Sequence, residues 1–390
     1  MEKRFFTGAG REISLLGFGL MRLPRVDPAG TDIDYAVAEK MVARALSAGI
    51  NYFDTAWFYH DGKSETFAGD VLSAYPRESY CLTSKMPAWM VDSPADVERV
   101  FGEQLKKCRT DYFDFYLLHN LGGENYDLAL KHRACEFLRR KKEEGVIRRL
   151  GFSMHDGAEK LQRVVDAHEW DLVQIQLNYI DWETLDAKRQ YEILEERGIP
   201  VVVMEPVRGG ALASLPQAAA DILKKADPEA SPASWAIRYA ASLPGVMTVL
   251  SGMSAPEQLE DNIKTMTDFR PLSDAERATL TQAAAIYRGS GVIPCTACRY
   301  CMDCPAGVDI PRVFAVYNRY LSSLSSDNPE DSRVAGFLFD GGYRSLSKSQ
   351  RAHNCVACGV CREHCPQKID IPRHIKEIAD FAAQNFEAAR

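Results

Sequence analysis

Eight of the chain's 11 cysteines fall in two short runs, PCTACRYCMDCP (294–305) and NCVACGVCREHCP (354–366). The first places Cys295, Cys298, Cys301 and Cys304 at every third position, and the second holds Cys355, Cys358, Cys361 and Cys365. Thiols this regular do not pack a core. Thiolates at such spacing are soft metal ligands, and without a secretory leader to signal an oxidising compartment they point to metal and not to disulfides. Cys81, Cys108 and Cys135 lack ligand spacing and are expected to be small buried apolar residues.

A second constellation lies in the first half of the chain. Asp54 (YFDTAWFY), Lys85 (LTSKMP), His119 (LLHN) and Ser153 (GFSMH) each stand at the end of an apolar run, and Tyr59 follows Asp54 by five residues. An acid, a cation, an imidazole and a phenol suit reduction of a carbonyl by hydride. Tyr59 would hand its proton to the developing alkoxide, with the ordinary phenol pKa of about 10 lowered by Lys85. Asp54 would keep Lys85 charged, and His119 would orient the carbonyl. Each residue alone is more often structural; their recurrence on successive strand ends carries the reading.

The elements that must position these groups are eight strand-like runs: residues 15–19, 50–54, 80–84, 113–118, 148–153, 172–177, 201–205 and 246–250, with amphipathic segments such as AVAEKMVARALSAG between them. Apolar strands alternating with helices predict an α/β fold, a parallel (β/α)8 TIM barrel with its chemistry at the carboxyl ends of the strands. No GxGxxG follows the first run to favour a doubly wound sheet. A last helix is expected over 272–288 and a linker after it, giving a barrel domain of residues 1–288 and a small, mainly helical domain of 289–390. Within the latter, CPAGVDIPRVF (304–314) is nearly repeated as CPQKIDIPRHI (365–375), the mark of an internal duplication. A net charge of −7 gives nucleic acid or anionic lipid nothing to bind. No run approaches the roughly 18 apolar residues of a membrane span, so a cytoplasmic protein is expected.

The second cysteine run resembles the CxxCxxCxxxCP pattern of bacterial-type ferredoxins, whose fourth cysteine serves the neighbouring cluster. The first run is one residue shorter between Cys301 and Cys304. The resemblance implies two [4Fe-4S] clusters with crossed ligands, one on Cys295, Cys298, Cys301 and Cys365, the other on Cys355, Cys358, Cys361 and Cys304. Structural zinc is the alternative.

Residues 1 to about 285 resemble an aldo-keto reductase, with Asp54, Tyr59, Lys85 and His119 matching the catalytic tetrad. The remainder resembles the helical ferredoxin-type domain fused to one branch of that family. This implies NADP(H) or NAD(H) bound without a Rossmann motif. Ser153 and Gln176 match residues that hold the carboxamide, and SGMSAPEQLEDN (251–262), with Ser251, Gly252, Gln258 and Asn262, matches the loop around the phosphates and adenosine. Met204 stands where many relatives place an aromatic ring beneath the nicotinamide, and Met154 where an Asn is frequent. Gly252 and Gln258 replace the Lys and Arg with which NADPH-preferring relatives hold the 2′-phosphate. Arg208 is either a substitute for these or a solvated surface charge. Trp57, His60, Trp89 and Asn120 are expected to border a pocket for a flat or apolar substrate.

The expected function is NAD(P)-dependent interconversion of a small-molecule carbonyl and alcohol, with the clusters serving structure or electron exchange with a redox partner protein. The alternative is an electron-transfer or redox-sensing protein whose barrel is not a functional reductase. In a third reading, the C-terminal domain docks a partner or a second subunit.

Overall fold

The computed structural model describes residues 1–6, 10–27, 30–302, 304–324 and 329–387. By its contacts the chain forms two compact units, one of Met1–Pro206 with Ser234–Leu272, the other of Val207–Ala233 with Ser273–Arg390.

The first unit begins with an antiparallel hairpin, β1 (Lys3–Phe6) and β2 (Arg11–Ser14), that the apolar patterning had not announced. Eight further strands follow: β3 (Leu16–Gly19), β4 (Tyr52–Asp54), β5 (Cys81–Met86), β6 (Phe113–Leu118), β7 (Ile147–Met154), β8 (Leu172–Gln176), β9 (Val201–Met204) and β10 (Val246–Ser251). They close a parallel barrel in chain order, β10 pairing with both β3 and β9. The (β/α)8 expectation holds strand for strand, because strands covered on both faces are apolar throughout and stand out in sequence.

Alternation along each strand sorts the interior into layers. Tyr52, Cys81, Phe115, Leu172, Val202 and Met247 meet near the amino-terminal ends, together with Ile13 of the hairpin. Arg4 fastens the hairpin there by donating to the carbonyls of Ala241 at 2.5 Å and Leu243 at 2.9 Å. Two or more residues further up, the same parity delivers Asp54, Lys85, Ser153, Gln176 and Met204, so the apolar plug and the polar mouth follow from one period-2 pattern. The helices outside are amphipathic: in Pro94–Lys107, capped by Ser93 Oγ on the Asp96 N–H, buried Val97, Val100, Phe101 and Gln104 recur at helical spacing.

The second unit is mainly helical beyond residue 290. Ile310–Ser323, Pro329–Arg344 and Ile371–Ala382 surround a core that includes Val308, Phe314, Phe339, Ile371, Ile375 and Ile378. The duplication reaches the backbone. Each Asp-Ile-Pro-Arg opens a helix with its proline in the first turn. Ahead of each, the third residue after the Cys-Pro cysteine is left-handed, Gly307 at φ 77° and Lys368 at φ 55°. Both N–H groups donate back to the cysteine carbonyl, at 2.9 and 3.1 Å. In the same unit Gly209 (φ 66°) lies so close to Thr296 that a Cβ would fall 2.2 Å from the Thr296 oxygen, and only glycine fits.

Candidate active site and metal centre

Strand register builds the barrel site. Asp54 pairs with Thr83, Lys85 with Leu117, Ser153 with Gln174 and Gln176 with Met204, which brings these chain-distant residues to the carboxyl end of the barrel. Lys85 is 0% exposed. Its Nζ donates to Asp54 Oδ1 at 2.5 Å, to the Thr55 carbonyl at 2.8 Å and to the Tyr59 hydroxyl at 3.3 Å. His119 follows β6, and its N–H extends the ladder to the Met86 carbonyl at 2.9 Å. Its ring stacks on Phe58 (5.1 Å, 14°) and meets Trp89 and Tyr59 edge-on at 5.2 and 5.9 Å. All four tetrad residues therefore stand together.

Phe58, which the sequence did not single out, is the ring that walls the imidazole. Neighbouring Trp57 points elsewhere, its ring under Lys107 Nζ at 3.8 Å, because adjacent side chains on this loop leave in different directions. His60 is occupied by the Thr31 carbonyl at 3.0 Å. Asn120 fastens the mouth: its N–H donates to Ser153 Oγ at 2.8 Å, and its Oδ1 accepts from the N–H groups of Gly122 and His155.

Burial dominates the electrostatics. It lowers Lys85 and raises Asp54, each opposing the shift in the other across their contact. Tyr59 is raised well above the usual tyrosine value, by burial first and then by Asp54 and Glu205, so the lowering expected from Lys85 does not prevail. His119 is held well below the usual imidazole value by burial and by Lys85. At neutral pH the site thus presents a protonated phenol and a neutral imidazole. Among the described residues, buried Asp54 Oδ2 and His119 Nδ1 have no hydrogen-bond partner.

The residues assigned to the nucleotide lie around the same mouth. Ser153 Oγ accepts from the Asn120 N–H at 2.8 Å and retains its own proton to donate. Gln176 donates to Asp181 Oδ2 at 2.7 Å and bonds the ring of His155, a second imidazole that burial pushes down to about 4. His155 was missed, having no ligand or tetrad spacing to mark it. Met204 Sδ receives Gln174 Nε2 at 3.5 Å, Asn262 donates to Ser251 Oγ at 2.9 Å, and Gln258 Oε1 accepts the Ser254 N–H at 2.8 Å. Gly252 leaves room for Arg22, whose Cδ would lie 2.9 Å from a Cβ there and whose guanidinium pairs with Glu205 at 2.8 Å. Arg208 is 3% exposed and is not the solvated surface charge that was one of its two readings.

In the second unit the cysteines gather across the duplication. Cys301 has Cys298, Cys295 and Cys365 as charge neighbours, and Cys361 has Cys355, Cys304 and Cys358. Apolar side chains back them: Val308, Ile310, Ile371 and Ile375 line a concavity with Cys301, Cys304, Cys355, Cys358 and Cys361. The chemistry of the donor set, eight soft thiols in two groups of four, fits iron–sulfur clusters. Among the described residues no three His, Cys, Asp or Glu side chains converge tightly enough to grip a single ion. Cys81, Cys108 and Cys135 are buried, as expected.

Comparison with known proteins agrees with the division into a barrel and a cysteine-rich C-terminal domain. Residues 15–285 match the profile of the aldo/keto reductase family, and residues 294–369 that of a 4Fe-4S dicluster domain. An uncharacterised oxidoreductase of Bacillus subtilis, YqkF, is 28% identical over 71% of this chain and 94% of its own. The NADH-specific methylglyoxal reductase of Escherichia coli is 24% identical over 70% and 95%. Among solved structures, the holo form of aldo-keto reductase AKR11C1 from Bacillus halodurans superposes with a TM-score of 0.60 at 26% identity, covering 73% of this chain and 96% of that one. No helix among the described residues is long and apolar enough to cross a membrane. With a barrel profile over more than half its length and a cluster-binding profile behind it, the chain belongs to the aldo/keto reductase family, as an NAD(P)-dependent oxidoreductase carrying a C-terminal 4Fe-4S domain.

Proposed function

We propose that the barrel interconverts a small-molecule carbonyl and its alcohol, with Tyr59 as general acid in reduction and general base in oxidation. One observation carries this reading: Lys85 Nζ, buried, bridges Asp54 at 2.5 Å and the Tyr59 hydroxyl at 3.3 Å beside His119. A bound nicotinamide supplies the hydride. Tyr59, protonated at neutral pH, gives its proton to the oxygen that gains charge, and Lys85 stabilises the phenolate left behind. His119, neutral and flat against Phe58, fixes the carbonyl direction. The rings of Phe58, Trp89 and His119 suit a flat or apolar substrate, and the name of the Escherichia coli relative supports a small carbonyl.

For the cofactor we propose NADH over NADPH, since Gly252 and Gln258 offer a 2′-phosphate no cation. Ser153, Gln176 and Met204 would hold the nicotinamide; Ser251, Gly252, Gln258 and Asn262 the adenosine half. We further propose two [4Fe-4S] clusters with crossed ligation, supported by the gathering of Cys365 with the first run and Cys304 with the second. Residues 1–288 would act as the reductase domain and 289–390 as the cluster domain of a cytoplasmic protein.

The test is Tyr59→Phe in the full chain, assayed with NADH and NADPH against small aldehydes and ketones. A loss of about 10²- to 10⁴-fold in kcat with nucleotide affinity retained is expected. Undiminished turnover would remove Tyr59 from the mechanism.

A further inference from the structure

Glu65 is a buried carboxylate for which the proposed mechanism has no use. It lies in the first turn of the helix Ser64–Leu72 and is 0% exposed. Its Oε1 accepts from Ser84 Oγ and from Gln104 Nε2, each at 2.6 Å. Ser84 adjoins Lys85 on β5, and because alternate residues of a strand face opposite sides, it meets the outer helices while Lys85 looks into the barrel. Tyr116 of β6 donates to Gln104 Oε1, which fixes the amide so that its Nε2 faces Glu65, Ser84 Oγ at 3.0 Å and the Lys85 carbonyl at 2.9 Å. The residue before Glu65 is tied to the same lysine. Ser64 Oγ lies 2.8 Å from Thr55 Oγ1, and the Thr55 carbonyl is one of the three groups that receive Lys85 Nζ.

These hydrogen bonds do not account for the charge. A glutamine at position 65 would offer Ser84 and Gln104 the same oxygen, whereas an anion enclosed there costs free energy, and burial accordingly raises Glu65 above the usual carboxylate range. Two cations oppose that rise: Lys107, 3.7 Å from Oε2 on the neighbouring helix, and Lys85 across the strand. Seen from Lys85, burial pushes the ammonium down, while Asp54 inside the barrel and Glu65 outside it hold it up. The charges that bear on Tyr59 itself are those of Asp54, Glu205 and Arg22.

We infer that Glu65 is a positioning residue of the proposed reductase, a second carboxylate that supports the Lys85 ammonium from behind the barrel wall and reaches Tyr59 only through it. The inference rests on the proposed role of Tyr59 as proton donor. Lys85 faces Asp54, Tyr59, His119 and His155 within the barrel and Glu65 behind it, and Glu65 faces Lys107, Tyr116 and Cys108 besides. Burial keeps both imidazoles neutral and both Tyr116 and Cys108 protonated, so Asp54, Glu65 and Lys107 are the charges that act on the lysine.

The experiment follows kcat for reduction of small aldehydes by NADH in the full-length protein from about pH 6 to 10, the range in which a lowered lysine titrates, in wild type, Glu65→Gln and Tyr59→Phe. The wild-type rate should be level through the neutral range and fall at alkaline pH as Lys85 loses its proton. Removing an anion lowers a neighbouring ammonium, so in Glu65→Gln the fall should begin about one pH unit earlier. The variant is then about tenfold slower than wild type on the alkaline side, equal to it on the acid side, and unchanged in its KM for NADH. Lys107→Met removes a cation and should move the fall the opposite way; this partly exposed position keeps the inference open to failure where Glu65→Gln does not fold. A fall that stays in place in a folded variant overturns the inference. So does a uniform drop at every pH with a lower Tm, which would leave Glu65 as a tie between two helices. Wild-type turnover in Tyr59→Phe fails the reductase reading, and the inference with it. An inactive Tyr59→Phe beside a Glu65→Gln profile that superposes on wild type fails the inference alone.

Discussion

The barrel site and the cysteine site hold their groups by opposite means. Asp54, Lys85, Ser153 and Gln176 are placed by a closed ladder of backbone hydrogen bonds, with an apolar plug of Tyr52, Phe115 and Ile13 beneath them. Most of the cysteines sit on loops, Cys298 and Cys358 directly after the left-handed Ala297 and Ala357, while Cys361 lies in the short helix Val360–Glu363; a core drawn from three helices backs them. A barrel keeps its geometry whether or not a ligand is present. A small helical unit whose connecting segments carry eight thiols is the kind of structure that metal completes.

Iron removal should therefore break the molecule unevenly, and this is the largest effect we expect. Chelation, or Cys301→Ser with Cys361→Ser, should expose the chain beyond residue 290 to protease, while the barrel goes on binding nucleotide. Metal sites in small dependent domains contribute about 10 kcal/mol, more than the core of such a domain supplies. Limited proteolysis with nucleotide fluorescence reads both halves at once. Simultaneous loss of nucleotide binding would show that the barrel, too, leans on the metal.

The next effect lies inside the barrel. Lys85→Met removes the partner of a buried carboxylate, and stranding a buried charge costs about 3–5 kcal/mol. Pairing it with Asp54→Asn should recover much of that stability but none of the activity. If the single variant melts with the wild type, the Asp54–Lys85 contact is not what holds this end of the barrel.

The pH dependence follows from burial. Tyr59 stays protonated through the neutral range, so kcat for reduction should be flat there, whereas oxidation, which needs the phenolate, should climb with pH. His119 has its folded pKa depressed, so the unfolded chain binds the extra proton. Its contribution to stability is complete above the unfolded value of about 6.5 and is lost as pH falls toward the folded one, at up to about 1.4 kcal/mol per pH unit. Denaturant melts of wild type and His119→Gln between about pH 7 and 5 should converge on the acid side if that linkage holds.

What could be seen in the sequence follows the same division. Buried parallel strands are continuous apolar runs, so all eight were legible, and the polar residues at their ends, with the resemblance to a known family, pointed to the tetrad. The duplication was legible because the Cys-Pro repeat marks equivalent positions, whereas the crossed grouping of cysteines was expected only from the resemblance to ferredoxins. Loop direction was not: Trp57 and Phe58 are both large aromatics beside Asp54, and only the turn decides that Phe58 meets His119 while Trp57 meets Lys107. His155 was hidden because its place depends on Gln176 and Asn120, both far along the chain. The hairpin was hidden because neither of its strands is a continuous apolar run.

The smallest effect concerns the rim of the proposed nucleotide site. Gln258 lies on the exposed first turn of the helix Pro256–Thr267, and its Oε1 caps the Ser254 N–H. If Gln258 borders the adenosine ribose as proposed, Gln258→Arg would bring a guanidinium to the 2′-phosphate, and a single charge-assisted contact to a phosphate should tighten NADPH by about tenfold. NADH has no phosphate there and should be almost unaffected, losing only what the Ser254 cap contributes. Fluorescence titration with both nucleotides reads the ratio directly. A change shared equally by the two would mean that residue 258 shapes the loop and does not choose the cofactor, leaving the cation for the 2′-phosphate to be sought elsewhere on the rim.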